Sequence, residues 1–375
     1  MSRNFDVIVV GGGVIGCSSA YHLARKKCKV LVVEKMWVGG QASGVAAGML
    51  AAQFEAEQPD AFLDLCLHSR ELFKTLVPEV QDQSGINPEW EVCGIWRAAA
   101  SEEEVPGLKE RVFWQREKGL SAEWQEPDQV AEYLPGLRRS SGALYCPEDG
   151  QVNPVKWTAA LARAARNRGV SFIEQVPETS VLTQNGRVIG LRTPRETFSS
   201  DKILIAAGAW TPTLLKPLGV DLALEPVKGQ LMIMSGLPRA FRGPVYTGDG
   251  YLVPKADGRL IIGSTMEKVG FDVRPTLEAQ RGLADWAARW CPGLTSLPVV
   301  NFQAGLRPGS RDGWPVMGPL LDPEGLFVAA GHFRNGILLS PVAGHYMADG
   351  MVDGQWHPWG LPFSPERVLR SQVAA

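Results

Sequence analysis

The chain has 375 residues, 45% hydrophobic and 21% charged, an ordinary globular balance and enough length for two domains. A formal net charge of -2 and the lack of any like-charged block argue against a nucleic-acid partner. Six cysteines (Cys17, Cys28, Cys66, Cys93, Cys146, Cys291) show no C-x-x-C pair and no histidine at zinc spacing, so free thiols, a reducing cytoplasm and no metal are expected.

A strand-like run begins at Phe5, which leaves no room for a signal peptide. No apolar stretch reaches the ~18–20 residues that cross a bilayer. A cytoplasmic protein without an integral membrane segment is the expectation.

Phe5–Val10 reads as a buried parallel strand that stops abruptly in glycines. Gly11, Gly13 and Gly16 then satisfy G-x-G-x-x-G. The next stretch, Cys17 to Lys26, carries Ala20, Leu23 and Ala24 at helical spacing, and Lys29–Val33 is a second strand ending at Glu34. Gly11 permits the tight turn, Gly13 lets backbone approach a pyrophosphate, and Gly16 lets the helix pack closely on the strand. The helix N-terminus offers free N–H groups and partial positive charge to phosphates. Glu34, 21 residues after Gly13, is placed to accept hydrogen bonds from a ribose 2′-OH and to repel a 2′-phosphate, which argues against NADP. Gly39–Met49 is too polar and glycine-rich for a core helix. Its small side chains suit a segment lying against a large planar ligand, a second contact that an extended FAD needs and NAD usually does not.

Phe62–Val80 has helical spacing, and Glu102–Leu120 is a charged surface helix or loop. Asp149–Pro154 reads as a turn feeding a helix from near Val155, with Trp157, Leu161 and Ala165 on one face. Gly169–Glu174 returns as a strand. From Pro226 the pattern changes to short β-like runs, Gly229–Ser235, Gly250–Lys255 and Arg259–Thr265, which suggest an antiparallel sheet. Asp257-Gly258 is a hairpin signal. An even-numbered turn centred there pairs Ala256 with Arg259 and Tyr251 with Ser264, so that Tyr251 and Met266 share a sheet face; an odd loop breaks that inference.

The glycine-rich start, the small-residue segment, Lys202–Trp210 and Ala330–Pro341 together resemble the FAD-binding elements of the D-amino-acid oxidase family, over about residues 5–350. Ala46–Leu50 and Gly305–Gly309 resemble the glycine oxidase branch of that family, which is linked to thiamine biosynthesis. The resemblance implies an α/β (α+β overall) fold. A Rossmann-like FAD-binding domain (1–88, 148–224 and 305–365) would interleave with an antiparallel-sheet substrate-binding domain (89–147 and 225–304).

It implies FAD held by Gly11, Gly13, Val14, Ile15, Gly16, Glu34, Lys35, Ala42, Ser43, Ala47, Gly48, Met49 and Glu178, and by the run His332, Phe333, Arg334, Asn335, Gly336, Ile337 and Leu338. The sarcosine oxidase relatives attach their flavin through a cysteine near the position of Arg307; none stands there, so non-covalent FAD is expected. Arg307 is implied as the substrate carboxylate clamp, since a planar guanidinium grips a carboxylate through two hydrogen bonds. Tyr251 adds a phenolic hydrogen bond, Arg334 contacts substrate through its side chain or its carbonyl, and Met49 and Met266 line an apolar wall. His332 reads as a flavin-side structural group, because hydride transfer from a neutral amine needs no base. A helix starting near Gly336 would aim its N-terminus at the flavin.

The implied activity is oxidation of glycine, sarcosine and small D-amino acids to an imine, then glyoxylate and ammonia, with molecular oxygen giving hydrogen peroxide. The imine itself could feed thiamine thiazole synthesis. A D-amino-acid dehydrogenase that passes electrons to a quinone and a non-catalytic flavin-binding subunit are the alternatives. Asp249 stands where the related glycine oxidases carry His, two residues before Tyr251, which leaves substrate preference open. Relatives often form homo-oligomers.

Overall fold

The computed structural model describes residues 3–236 and 243–369. The run after Phe5 becomes a fully buried strand, Val7–Val10, and the glycine turn leads into helix α1, Val14–Arg25. Val30–Val33 pairs parallel with Val7–Val10. The six-stranded sheet has the order 316–319, 326–330, 203–205, 7–10, 30–33, 171–173. All its pairings are parallel except that of Val316–Pro319 with Leu326–Ala330. Strands buried on both faces read as continuous β-branched runs, which is why this sheet was legible in sequence.

Three further helices cover one face together with α1: α2 (Ala61–Ser84), α3 (Pro154–Asn167) and α4 (Gly336–Asp353). Asp60 caps α2 by accepting from the Leu63 N–H, and Asn153 caps α3 by accepting from the Lys156 N–H. Trp157, Leu161 and Ala165 are all buried in this helical layer. The Trp157 indole donates to Ser340 Oγ at 3.0 Å and stands 5.4 Å from the Phe73 ring. The charged stretch after Glu102 forms a helix, Val105–Glu117.

The second large sheet has eight strands, ordered 299–310, 224–235, 259–263, 250–254, 245–247, 95–98, 143–146, 123–125. It is antiparallel except where Val245–Thr247 runs parallel to Ile95–Ala98.

Its central hairpin corrects the expected register. Tyr251 pairs with Gly263, not Ser264, and Pro254 pairs with Leu260. The Lys255 N–H donates to the Arg259 carbonyl, so the loop holds three residues, Ala256 to Gly258. Gly258 takes the left-handed conformation (φ 83°) that closes a three-residue loop, and the Asp257 carboxylate accepts from the Arg259 N–H. Beyond Gly263 the chain leaves the strand. Met266 is 64% exposed and does not line the cavity described below, so the apolar-wall role expected for it is not met. No helix among the described residues is long and apolar enough to cross a membrane.

Candidate active site

A cavity of about 720 Å³ runs from the glycine turn of the six-stranded sheet to the face of the eight-stranded one. At its first end the turn is shaped by close approach. Gly11 has φ 114°, and a Cβ on Gly16 would stand 1.9 Å from the Gly11 carbonyl oxygen. Gly16 therefore serves helix packing and lies outside the lining, whereas Gly11, Gly13, Val14 and Ile15 line it. Glu34 and Lys35 line it too. The Glu34 carboxylate accepts from the Gly12 N–H at 2.6 Å and from the Met36 N–H at 2.8 Å, which fixes it beneath the turn.

The small-residue segment folds over the cavity as a short helix, Ala42–Val45, and a strand, Met49–Leu50. Ser43 Oγ accepts from the Val14 N–H at 3.0 Å and so ties this segment to the start of α1. Ala42, Ser43, Ala47, Gly48 and Met49 all line the cavity, as does Glu178.

From the other side His332, Phe333, Arg334, Asn335, Gly336 and Ile337 enter the lining, so the amide end of α4 opens onto it. Leu338 does not line it. One residue further along α4, it is buried in the helical layer, and its carbonyl accepts from Ser69 Oγ. His332 is 3% exposed, its Nε2 has no hydrogen-bond partner among the described residues, and burial pushes its pKa down to about 3. It is a neutral imidazole facing a space, not a charged base.

At the far end Arg307, on Val299–Ser310, lies beside Tyr251 and Tyr246. Its Nη1 donates to the Thr265 carbonyl at 3.1 Å and its Nη2 to Ser264 Oγ at 2.8 Å. Among the described residues no carboxylate pairs with it, and burial lowers its pKa from the ordinary arginine value. Arg334, in contrast, is compensated: its Nη2 meets Glu55 Oε1 at 3.0 Å, and this carboxylate raises its pKa. Glu55 also accepts from Asn335 Nδ2.

Tyr246 and Glu55 are among the cavity residues that sequence reasoning missed. Tyr246 pairs directly with Tyr251, and their rings are 5.1 Å apart; burial raises its phenol pKa. The signal was present, because Gly248-Asp249 is a two-residue hairpin loop that sets residue 246 opposite 251. Asp249 itself is exposed in that loop and does not line the cavity, so the sequence difference there stays away from the pocket. Glu55 lies in a loop with no periodic signal.

The comparisons with known proteins agree with one another. The family model described as FAD dependent oxidoreductase (DAO) matches residues 6–350. A glycine oxidase from Geobacillus kaustophilus is 35% identical over 98% of this chain and 98% of its own. The crystal structure of glycine oxidase from that organism superposes with a TM-score of 0.92, at 34% identity, covering 97% of this chain and 99% of that one. A bifunctional protein ThiO/ThiG from Synechocystis is 32% identical over 98% of this chain and 55% of its own.

The residues present fit FAD. The glycine cradle with its carboxylate, the small-residue cover, the cavity length and the unpartnered His332 Nε2 are what a long, partly planar dinucleotide would fill. This protein belongs to the DAO family of FAD dependent oxidoreductases, and FAD is its cofactor.

Proposed function

We propose that the protein oxidises glycine and similarly small amino acids, sarcosine and D-alanine among them, with molecular oxygen as electron acceptor. The observation that carries this is Arg307: a half-buried cation anchored by a carbonyl and a hydroxyl, without a carboxylate partner among the described residues. Each anchored nitrogen keeps a second N–H for a substrate carboxylate. Tyr251 and Tyr246 line the cavity beside it, their rings 5.1 Å apart.

Bound FAD supplies the two-electron acceptor. The chain does the rest. Arg307 fixes the carboxylate, the phenol of Tyr251 adds a hydrogen bond, and the aromatic pair with Met49 excludes water from the reacting carbon. No side chain need take a proton from that carbon, since its hydrogen would leave as hydride while the neutral amine's lone pair forms the C=N bond. Overall, the amino acid loses two electrons and two protons to give the imine, and oxygen becomes hydrogen peroxide. For glycine, water takes the imine to glyoxylate and ammonia. The likeness to a ThiO/ThiG protein supports a further role for the imine in thiamine thiazole synthesis.

The test is a peroxide assay of the FAD-loaded protein with glycine, sarcosine, D-alanine and L-alanine, beside Arg307→Ala. Activity on the first three and none on L-alanine is expected. Losing the clamp is worth at least about 3 kcal/mol, or at least about 10²-fold in KM. A near-normal KM in that variant rules out the clamp; flavin reduction without peroxide rules out oxygen as acceptor.

A further inference from the structure

Four of the five histidines in the chain gather far from the cavity, at the C-terminal end of α4. His345 and Asp349 are one turn apart on the same face of that helix. Gly354, at φ 70°, ends the helix and turns the chain back, which brings His357 onto the same carboxylate. Asp349 Oδ2 lies 2.8 Å from His357 Nε2 and 3.5 Å from His345 Nε2, and the three donor atoms lie within 4.8 Å of one another. The two imidazole rings stack at 5.7 Å. Behind them, His22 of α1 places its ring 5.9 Å from His345; it is buried, and its Nε2 has no hydrogen-bond partner. On the other side Trp359 stacks on His357 at 5.3 Å and meets His68 at 5.0 Å.

We propose that His345, Asp349 and His357 form a binding site for a first-row divalent transition ion, with zinc as the reference ion. Two imidazole nitrogens and one carboxylate oxygen select such an ion over magnesium or calcium, which prefer all-oxygen sites. Bonds of ~2.0–2.2 Å in a tetrahedron set donor atoms about 3.3–3.5 Å apart, so the observed spacings need only small side-chain adjustments. The local charge balance supports the assignment. Lys26 occupies the other oxygen of Asp349, Oδ1, at 2.8 Å, and its charge is matched by Asp353. Asp349 Oδ2 stays available, with one net negative charge at the site. His345 and His357 keep 39% and 31% of their side chains exposed, which gives an ion a path in.

The site joins α4 to the segment that follows it. Phe363 of that segment is fully buried against the helical layer, so an ion here would clamp the C-terminal segment to the core. Along α4, His345 and Asp349 stand roughly 14 and 20 Å from Gly336 at the cavity end, at ~1.5 Å per residue. It acts on stability and not on the reacting groups.

The experiment uses tag-free, FAD-loaded protein stripped with a chelator and dialysed. Zinc chloride is titrated calorimetrically, and thermal unfolding is followed with zinc or magnesium. One zinc per chain and a raised Tm are expected, with no effect of magnesium. His345→Gln and His357→Gln each weaken zinc binding at least about tenfold and leave peroxide formation from glycine unchanged. Lys26→Met binds zinc as tightly as the parent or tighter, since a competing cation is gone. Absence of stoichiometric binding, or unchanged affinity in both histidine variants, overturns the assignment.

Discussion

The guanidinium of Arg307 lies against the backbone of Gly229 on the neighbouring strand. A Cβ at residue 229 would stand 2.2 Å from Arg307 Nη1 and 2.4 Å from Nη2, closer than real side-chain contacts allow. Gly229→Ala is therefore expected to displace the clamp without removing it. KM for glycine should rise at least about tenfold, with a smaller change in kcat and an unaltered flavin spectrum. Steady-state kinetics read the split, and an unchanged KM would mean that the guanidinium position does not matter to binding.

Arg334 is held by Glu55, so only one of the two cavity arginines is free of a carboxylate. Glu55→Gln releases the second. Substrates with two carboxylates, such as iminodiacetate, should then gain on glycine by at least about tenfold in relative kcat/KM. A constant ratio would show that Arg334 turns away from substrate.

His332 makes the apoprotein sensitive to acid. Its folded pKa, about 3, lies below the unfolded value of 6.5, so the unfolded chain takes up the proton first as pH falls. The stability it provides is complete above pH ~6.5 and is lost progressively towards pH ~3. Between pH 7 and 5 this one group contributes about 2 kcal/mol of the loss. Urea unfolding of the apoprotein at both values should show a loss smaller by about that amount in His332→Leu. Equal losses in parent and variant would contradict the neutral buried imidazole.

Trp157 tests the helical layer separately from the site. Trp157→Ala removes the Phe73 contact and the hydrogen bond to Ser340 and leaves a cavity. A loss of ~3–5 kcal/mol in unfolding free energy is expected, with KM for glycine near that of the parent. A loss below ~1 kcal/mol would mean that the layer closes over the gap.

The cofactor end was legible because its determinants are local. A strand, three glycines at fixed spacing, a helix and an acid 21 residues on act within one β–α–β unit, and the structure has each in place. The substrate end depends on register, which a turn sets to within one residue. Asp257-Gly258 can close a loop of two or of three residues, and that single step set Tyr251 over Gly263, while Met266 lies past the end of the strand where the register no longer governs it. Glu55 owes its place to tertiary contacts with Arg334 and Asn335, so no local pattern announces it. The histidine cluster has only one local signal, the one-turn spacing of His345 and Asp349, because His357 joins it through the turn at Gly354.

The order of strands in the six-stranded sheet bears on how the protein is made. Val7–Val10 pairs on one side with Val30–Val33, close in sequence, and on the other with Ile203–Ile205, whose other neighbour is Leu326–Ala330. At ribosomal speeds of ~5–20 residues per second, roughly 10–40 s separate the first strand from Ile203–Ile205, and roughly 15–60 s separate it from Leu326–Ala330. His332 and the amide end of α4 arrive later still. A complete cofactor cavity thus waits for the segment around His332, and the open edge of the first strand has to be shielded in the interval.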